Sequence, residues 1–140
     1  MATPVDPRPR PSRKVEDVPV TLVDAASLDA FEVAIRNSIS TAIDTETAYT
    51  PQAFVGPNAK PGALRVISAA TRISREIEQA WVLDIKALDP SVVASILSGT
   101  SADAWNADFD ARVLDRDLFE PAKKTRDDIQ SISWWDAQLA

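Results

Sequence analysis

The sequence predicts one mixed α/β domain, a sheet with helices packed against it. Three observations carry that expectation. Short β-branched runs alternate with runs of helical periodicity. The polar turn Ser74-Arg75-Glu76 joins two strand-like runs into an antiparallel hairpin. Strand and helix then alternate after the hairpin, which implies parallel neighbours in the same sheet. A chain of 140 residues suits a single domain, and a hydrophobic share of 45% is enough to build a core.

The elements follow in order. Residues 1–17 read as a disordered tail, in which Pro4, Pro7, Pro9 and Pro11 alternate with Arg8, Arg10, Arg13 and Lys14 and nothing apolar is available to pack. Residues 18–140 form the domain. Pro19–Val23 is a short strand. Ser27 caps a helix running to about Ser38, with Leu28, Phe31 and Ile35 inward and a Glu32–Arg36 pair outside. Ile39–Asp44 is the next strand, and a loop marked by Pro51, Gly56, Pro57, Asn58, Pro61 and Gly62 follows. The hairpin joins Leu64–Thr71 to Ala80–Ile85. Asp89 caps a second helix with Pro90 at its first position and Gly99 past its end, burying Val92, Val93, Ile96 and Leu97. Ala102–Trp105 is a strand, and Asn106 opens a third helix that turns Phe109, Val113 and Leu114 inward. Ile129–Trp135 is the last strand, with Asp136 placed to cap a further helix. Trp134 and Trp135 read as core aromatics, one of them left exposed if no helix covers it.

Composition narrows the chemistry. The chain has no Cys and no His, which excludes disulfides, Cys/His zinc sites, Ser-His-Asp triads and histidine general bases. Its 3 Gly form neither a dinucleotide fingerprint nor a phosphate loop. Any chemistry falls to carboxylates, most plausibly by holding hard metal ions. No apolar run is long enough to span a bilayer and no signal-peptide segment is evident, so a soluble, cytoplasmic protein with no membrane partner is expected. The net charge of −6 makes long-range attraction for nucleic acid poor, and the basic tail or a partner would deliver a strand.

Two carboxylate groups stand out. In Asp44-Thr45-Glu46-Thr47 the two acids are two residues apart, so on a strand they point to one side. An isolated pair of this kind is most often solvated surface. Asp110, in Asn106-Ala107-Asp108-Phe109-Asp110, falls in the first turn of a helix, where an acid also suits the helix dipole.

Taken together and in this order, the segments resemble the DEDD-type 3′–5′ exonucleases, most closely the proofreading domain of polymerase I-type DNA polymerases. Asp44-Thr45-Glu46-Thr47 matches the family's first motif, D-T-E-T. Asn106 to Asp110, with Leu114, matches N-x-x-[FY]-D-x-x-x-L, although Trp105 stands where the family usually has His. Asp136-Ala137-Gln138-Leu139-Ala140 resembles the D-T-x-L-x segment that follows. The likeness covers Val18 to Ala140.

The resemblance implies a ribonuclease H-like mixed sheet with flanking helices. It implies Asp44, Glu46 and Asp110 as catalytic metal ligands for two Mg²⁺ or Mn²⁺ ions, with Thr47 and Asn106 contacting the substrate. Such ions, about 4 Å apart, bridge the attacking and leaving oxygens of a phosphodiester. The implied substrate is a single-stranded DNA 3′ end. A ribonuclease D-type RNA exonuclease and an inactive nucleic-acid or protein-binding module are the alternatives. The family's third motif, Y-x-x-x-D, is missing: Tyr49 is misplaced, and Asp127, Asp128 and Asp136 come too early. The C-terminal helices are therefore expected to be lacking, and little turnover is expected of this chain alone. Three readings fit: a fragment of a DNA polymerase, a short protein completed by a polymerase domain or other chain supplying the third motif, or a degenerate binding domain. The first is preferred, since the ending falls inside a predicted element.

Overall fold

The computed structural model describes residues 18–48 and 63–138. The tail and the Pro/Gly-marked loop therefore lie outside the described residues. Six strands form one sheet: β1 (Val20–Val23), β2 (Ser40–Thr47), β3 (Leu64–Arg72), β4 (Glu78–Asp84), β5 (Ser101–Ala104) and β6 (Ser133–Asp136). Their order is β1-β4-β3-β2-β5-β6. The hairpin forms as its turn requires, with β3 antiparallel to both β4 and β2. Every other pairing is parallel. The C-terminal ends of five strands thus share one edge of the sheet, and Asp44, Glu46 and Asp136 sit at or near it.

The helices of the described residues pack on one face. They are α1 (Leu28–Asn37), α2 (Pro90–Leu97), α3 (Ala107–Leu114) and the short α4 (Glu120–Lys123). One core cluster joins Phe31 and Ile35 of α1, Val93 and Leu97 of α2 and Val113 and Leu114 of α3 to Ile43, Ile67 and Leu83 of the sheet. Trp81 of β4 belongs to the same cluster. Its ring lies 5.4 Å from Phe31 at an angle of 59°, and its indole N–H donates to Thr71 Oγ1 at 3.0 Å.

The punctuation of α2 works as its residues dictate. Asp89 Oδ1 accepts from the Ser91 N–H at 2.9 Å, Pro90 takes the first helical position, and Gly99 turns out with φ +69°. Other details differ from expectation. Ser27 sits at the start of α1 but its hydroxyl bonds Asp24 instead of the helix amides. Arg36 donates to the Ser95 carbonyl at 3.2 Å, so the Glu32–Arg36 pair does not form. Val92 is 40% exposed, because α2 turns Val93, Ala94, Ile96 and Leu97 to the core. The third helix runs on through a π-helical turn, Asp115–Phe119, into α4, and so buries Leu118, Phe119 and Ala122 as well. The last strand is shorter than expected: Ile129 and Ile132 reach the core before β6 begins. Among the described residues no helix follows β6, and none is long and apolar enough to cross a membrane.

Candidate metal and nucleic-acid site

The motif Asp44-Thr45-Glu46-Thr47 lies within β2 itself, which extends three residues beyond the expected end of the strand. Strand alternation then divides it. Thr41, Ile43 and Thr45 are buried against the helices, and Ala42, Asp44 and Glu46 are exposed on the opposite face. The same-side placement of the two acids is realised. The strand pairs with β3 through Asp44↔Ser68 and Glu46↔Val66, and a bulge between Glu46 and Thr47 ends the regular ladder. Thr47 is half-buried at that end.

Asp110 approaches from the covered side. It is 2% exposed, and its Oδ1 accepts from the Thr45 backbone N–H at 3.0 Å and from Thr45 Oγ1 at 2.6 Å. The strand partner of β2 on this side is β5, aligned at Ala42↔Asp103. At Thr45 the edge amide is spent on Asp110 instead of on a strand. Two motifs 65 residues apart therefore meet through a carboxylate and a threonine. Sequence reasoning missed Thr45, although a β-branched hydroxyl between two outward-facing acids signals a buried polar group.

Burial pushes the Asp110 carboxyl up from its ordinary value. The two Thr45 hydrogen bonds pull the other way, and the negative charges of Asp44 and Asp136 add to the rise. Asp44, Asp110 and Asp136 thus share one electrostatic neighbourhood. Among the described residues, no three Asp, Glu, His or Cys side chains converge closely enough to hold a metal ion. The donor chemistry of Asp44, Glu46 and Asp110 is all carboxylate oxygen, which suits Mg²⁺ or Mn²⁺. Like charges repel, and a bound cation would offset that repulsion.

Asn106 holds the left-handed conformation, φ 58°, and its side chain does not cap α3. The cap comes from β6. Asp136 accepts from the Asn106 N–H through Oδ1 and from the Ala107 N–H through Oδ2, both at 3.0 Å. Asp136 Oδ1 also accepts from Gln138 N–H at 2.9 Å, the local turn expected of a cap.

The exposed face of the sheet forms a shallow groove of about 650 Å³, floored by Ala42, Ala70, Ala80 and Val82 and bordered by Asp44 and Trp105. Trp105 is 70% exposed, and Trp135 on β6 is 55% exposed while Trp134 packs against the core.

No protein-family model and no curated protein matches the sequence. Solved structures do match. Trypanosoma brucei RNase D in complex with RNA U12 superposes with a TM-score of 0.62 at 18% identity, over 88% of this chain and 39% of that one. Escherichia coli RNase D, an exoribonuclease involved in structured RNA processing, gives 0.50 at 18% identity, over 70% of this chain and 24% of that one. The Aedes aegypti Nibbler EXO domain gives 0.56 at 15% identity, over 91% of this chain and 56% of that domain. The chain spans about two fifths of the length of the trypanosome protein. The fold is the ribonuclease H-like mixed sheet with flanking helices that these exonucleases share.

Proposed function

We propose that this chain carries a divalent-metal 3′–5′ exonuclease site that removes nucleotides from RNA 3′ ends. The observation that supports this most is the junction of Asp110 with Thr45, which brings the second carboxylate motif against the first. Asp44, Glu46 and Asp110 are the carboxylates that would be drawn together around the metal. When bound, the ions would activate water and offset charge on the scissile phosphate.

The chain's own residues do the rest. Thr45 fixes one oxygen of Asp110. Asp44 and Glu46 face solvent, where a strand end can reach them. Asn106 and Thr47 would contact the terminal nucleotide. The named neighbours are ribonucleases and an EXO domain, which favours RNA. The D-T-E-T wording favours DNA proofreading beside a polymerase domain, and that is the second reading. The third carboxylate motif would come from further sequence or a partner.

The test is Mn²⁺-dependent shortening of 5′-labelled single-stranded RNA and DNA by the full-length protein. Shortening of RNA from the 3′ end, lost in Asp44→Ala, is the expected result. Preference for DNA would establish the second reading. No shortening of either, with no rise in melting temperature on adding Mn²⁺, would leave a non-catalytic module and overturn the proposal.

A further inference from the structure

Asp136 lies outside both carboxylate motifs, 26 residues after Asp110, yet it meets the same helix. Its negative charge also raises the cost of ionising Asp110. An acid that adds repulsion to an already acidic site needs a reason. The hydrogen bonds supply one. A carboxylate offers two acceptor oxygens, and here each takes one of two consecutive amides, Asn106 and Ala107. An asparagine could accept only one of them.

The two amides belong to the left-handed residue that turns the chain out of β5 and to the first residue of α3. A left-handed Asn costs backbone energy and persists where its surroundings hold it. The holding group is on β6, which pairs with β5 through Ala104↔Asp136, and the Ala137 N–H returns to the Ala104 carbonyl at 2.9 Å. The start of α3 is therefore clamped to a rigid strand end. Asp110 stands one turn into that helix.

We propose that Asp136 is a positioning residue: by clamping the Asn106 and Ala107 amides, it fixes where α3 begins and so where Asp110 meets Thr45. Its effect on metal binding rests on the function proposed above, whereas its effect on Thr45 does not.

The experiment is amide NMR of Asp136→Asn with the full chain, reading hydrogen exchange at Thr45, together with calorimetric Mn²⁺ binding. A role confined to the local cap changes Asn106, Ala107 and Gln138 alone. Positioning also exposes the Thr45 amide, with exchange at least tenfold faster, and weakens Mn²⁺ binding about tenfold, as the loss of a group orienting a ligand does. Asp136→Glu keeps both oxygens and moves them outward by one methylene, so it shifts Thr45 with less loss of stability, and serves if the asparagine variant does not fold. An unchanged Thr45 amide in the folded variants overturns the proposal. Altered Thr45 exchange in a protein whose wild type binds no Mn²⁺ upholds the positioning and removes the metal reading instead.

Discussion

Along β2, Thr41, Ile43 and Thr45 vanish beneath the helices, while Ala42, Asp44 and Glu46, each one residue away, face solvent. The same contrast runs across the sheet. Val23, Ile67, Trp81 and Leu83 are at most 3% exposed on the covered face, whereas Val20 and Leu22 are 67% and 69% exposed on the other. Strands with mostly parallel pairing usually have both faces covered. Here one face carries the core and the other carries the two motif acids beside an apolar groove. Core packing and the two motif acids are thus assigned to opposite parities of one strand. Asp110 is the exception: it reaches the first motif from the covered side, through Thr45.

The contrast is broken most forcefully at the core. Phe31→Ala removes a fully buried ring that packs tilted against Trp81. It is expected to cost about 3–5 kcal/mol in urea unfolding. Leu22→Ala on the open face should change stability by about 0.5 kcal/mol or less. A comparable loss at Leu22 would mean that the open face is covered in solution.

Much of this division was legible in the sequence. Period-two alternation gave the facing of Asp44 and Glu46, and Asp89, Pro90 and Gly99 gave both ends of α2 because their partners lie within a few residues. The order of strands and helices from the hairpin to the final strand is the expected one, with the π turn and α4 added before β6. What stayed hidden depends on distant partners. Asp136 and Asn106 are 30 residues apart, and no local pattern says that the acid, not the asparagine, caps α3. Ser27 satisfied a local rule and lost to Asp24, a competing local partner. The π turn escaped because it interrupts the helical period on which the reading relied. Asp44, Glu46 and Asp110 stand in recognisable motifs, whereas the meeting of Asp110 with Thr45 depends on β2 and β5 being neighbours.

A smaller effect is expected at the exception itself. Thr45→Val removes the hydroxyl that Asp110 accepts from at 2.6 Å and keeps the shape of the side chain. Losing a hydrogen bond to a charged, buried group costs about 1.5–3 kcal/mol. The same change should push the Asp110 carboxyl still further up, since the hydroxyl is the larger of the two lowering influences from Thr45. A thermal or urea melt at neutral pH measures the first effect, and carboxyl-carbon NMR measures the second. A melt indistinguishable from wild type would show that Asp110 does not depend on Thr45.

The smallest effect has a distinctive sign. The folded Asp110 carboxyl titrates above its unfolded value of 3.8, chiefly through burial. Between the two values the folded state holds a proton that the unfolded state has released. The stability contributed by that proton is full below the unfolded value and is lost as pH rises through the folded one. Once ionised, Asp110 supports the fold less than its protonated form does. Asp110→Asn keeps an oxygen that can accept from Thr45 and removes the charge. The variant should be at least as stable as wild type at pH 7, and its advantage should shrink toward pH 4. Asp24 and Asp128, whose carboxyls are held below the ordinary range by Ser27 and Arg126, weaken both proteins alike in acid and cancel in the difference. Urea midpoints of the two proteins across pH 4–7 read the result directly. Under the proposed function the same substitution should abolish Mn²⁺-dependent activity, a loss of function coupled to a gain in stability, as expected where a buried charge is kept for chemistry. A variant less stable than wild type at pH 7 by an amount independent of pH would instead make Asp110 a structural acid and align both faces of the sheet with the fold alone.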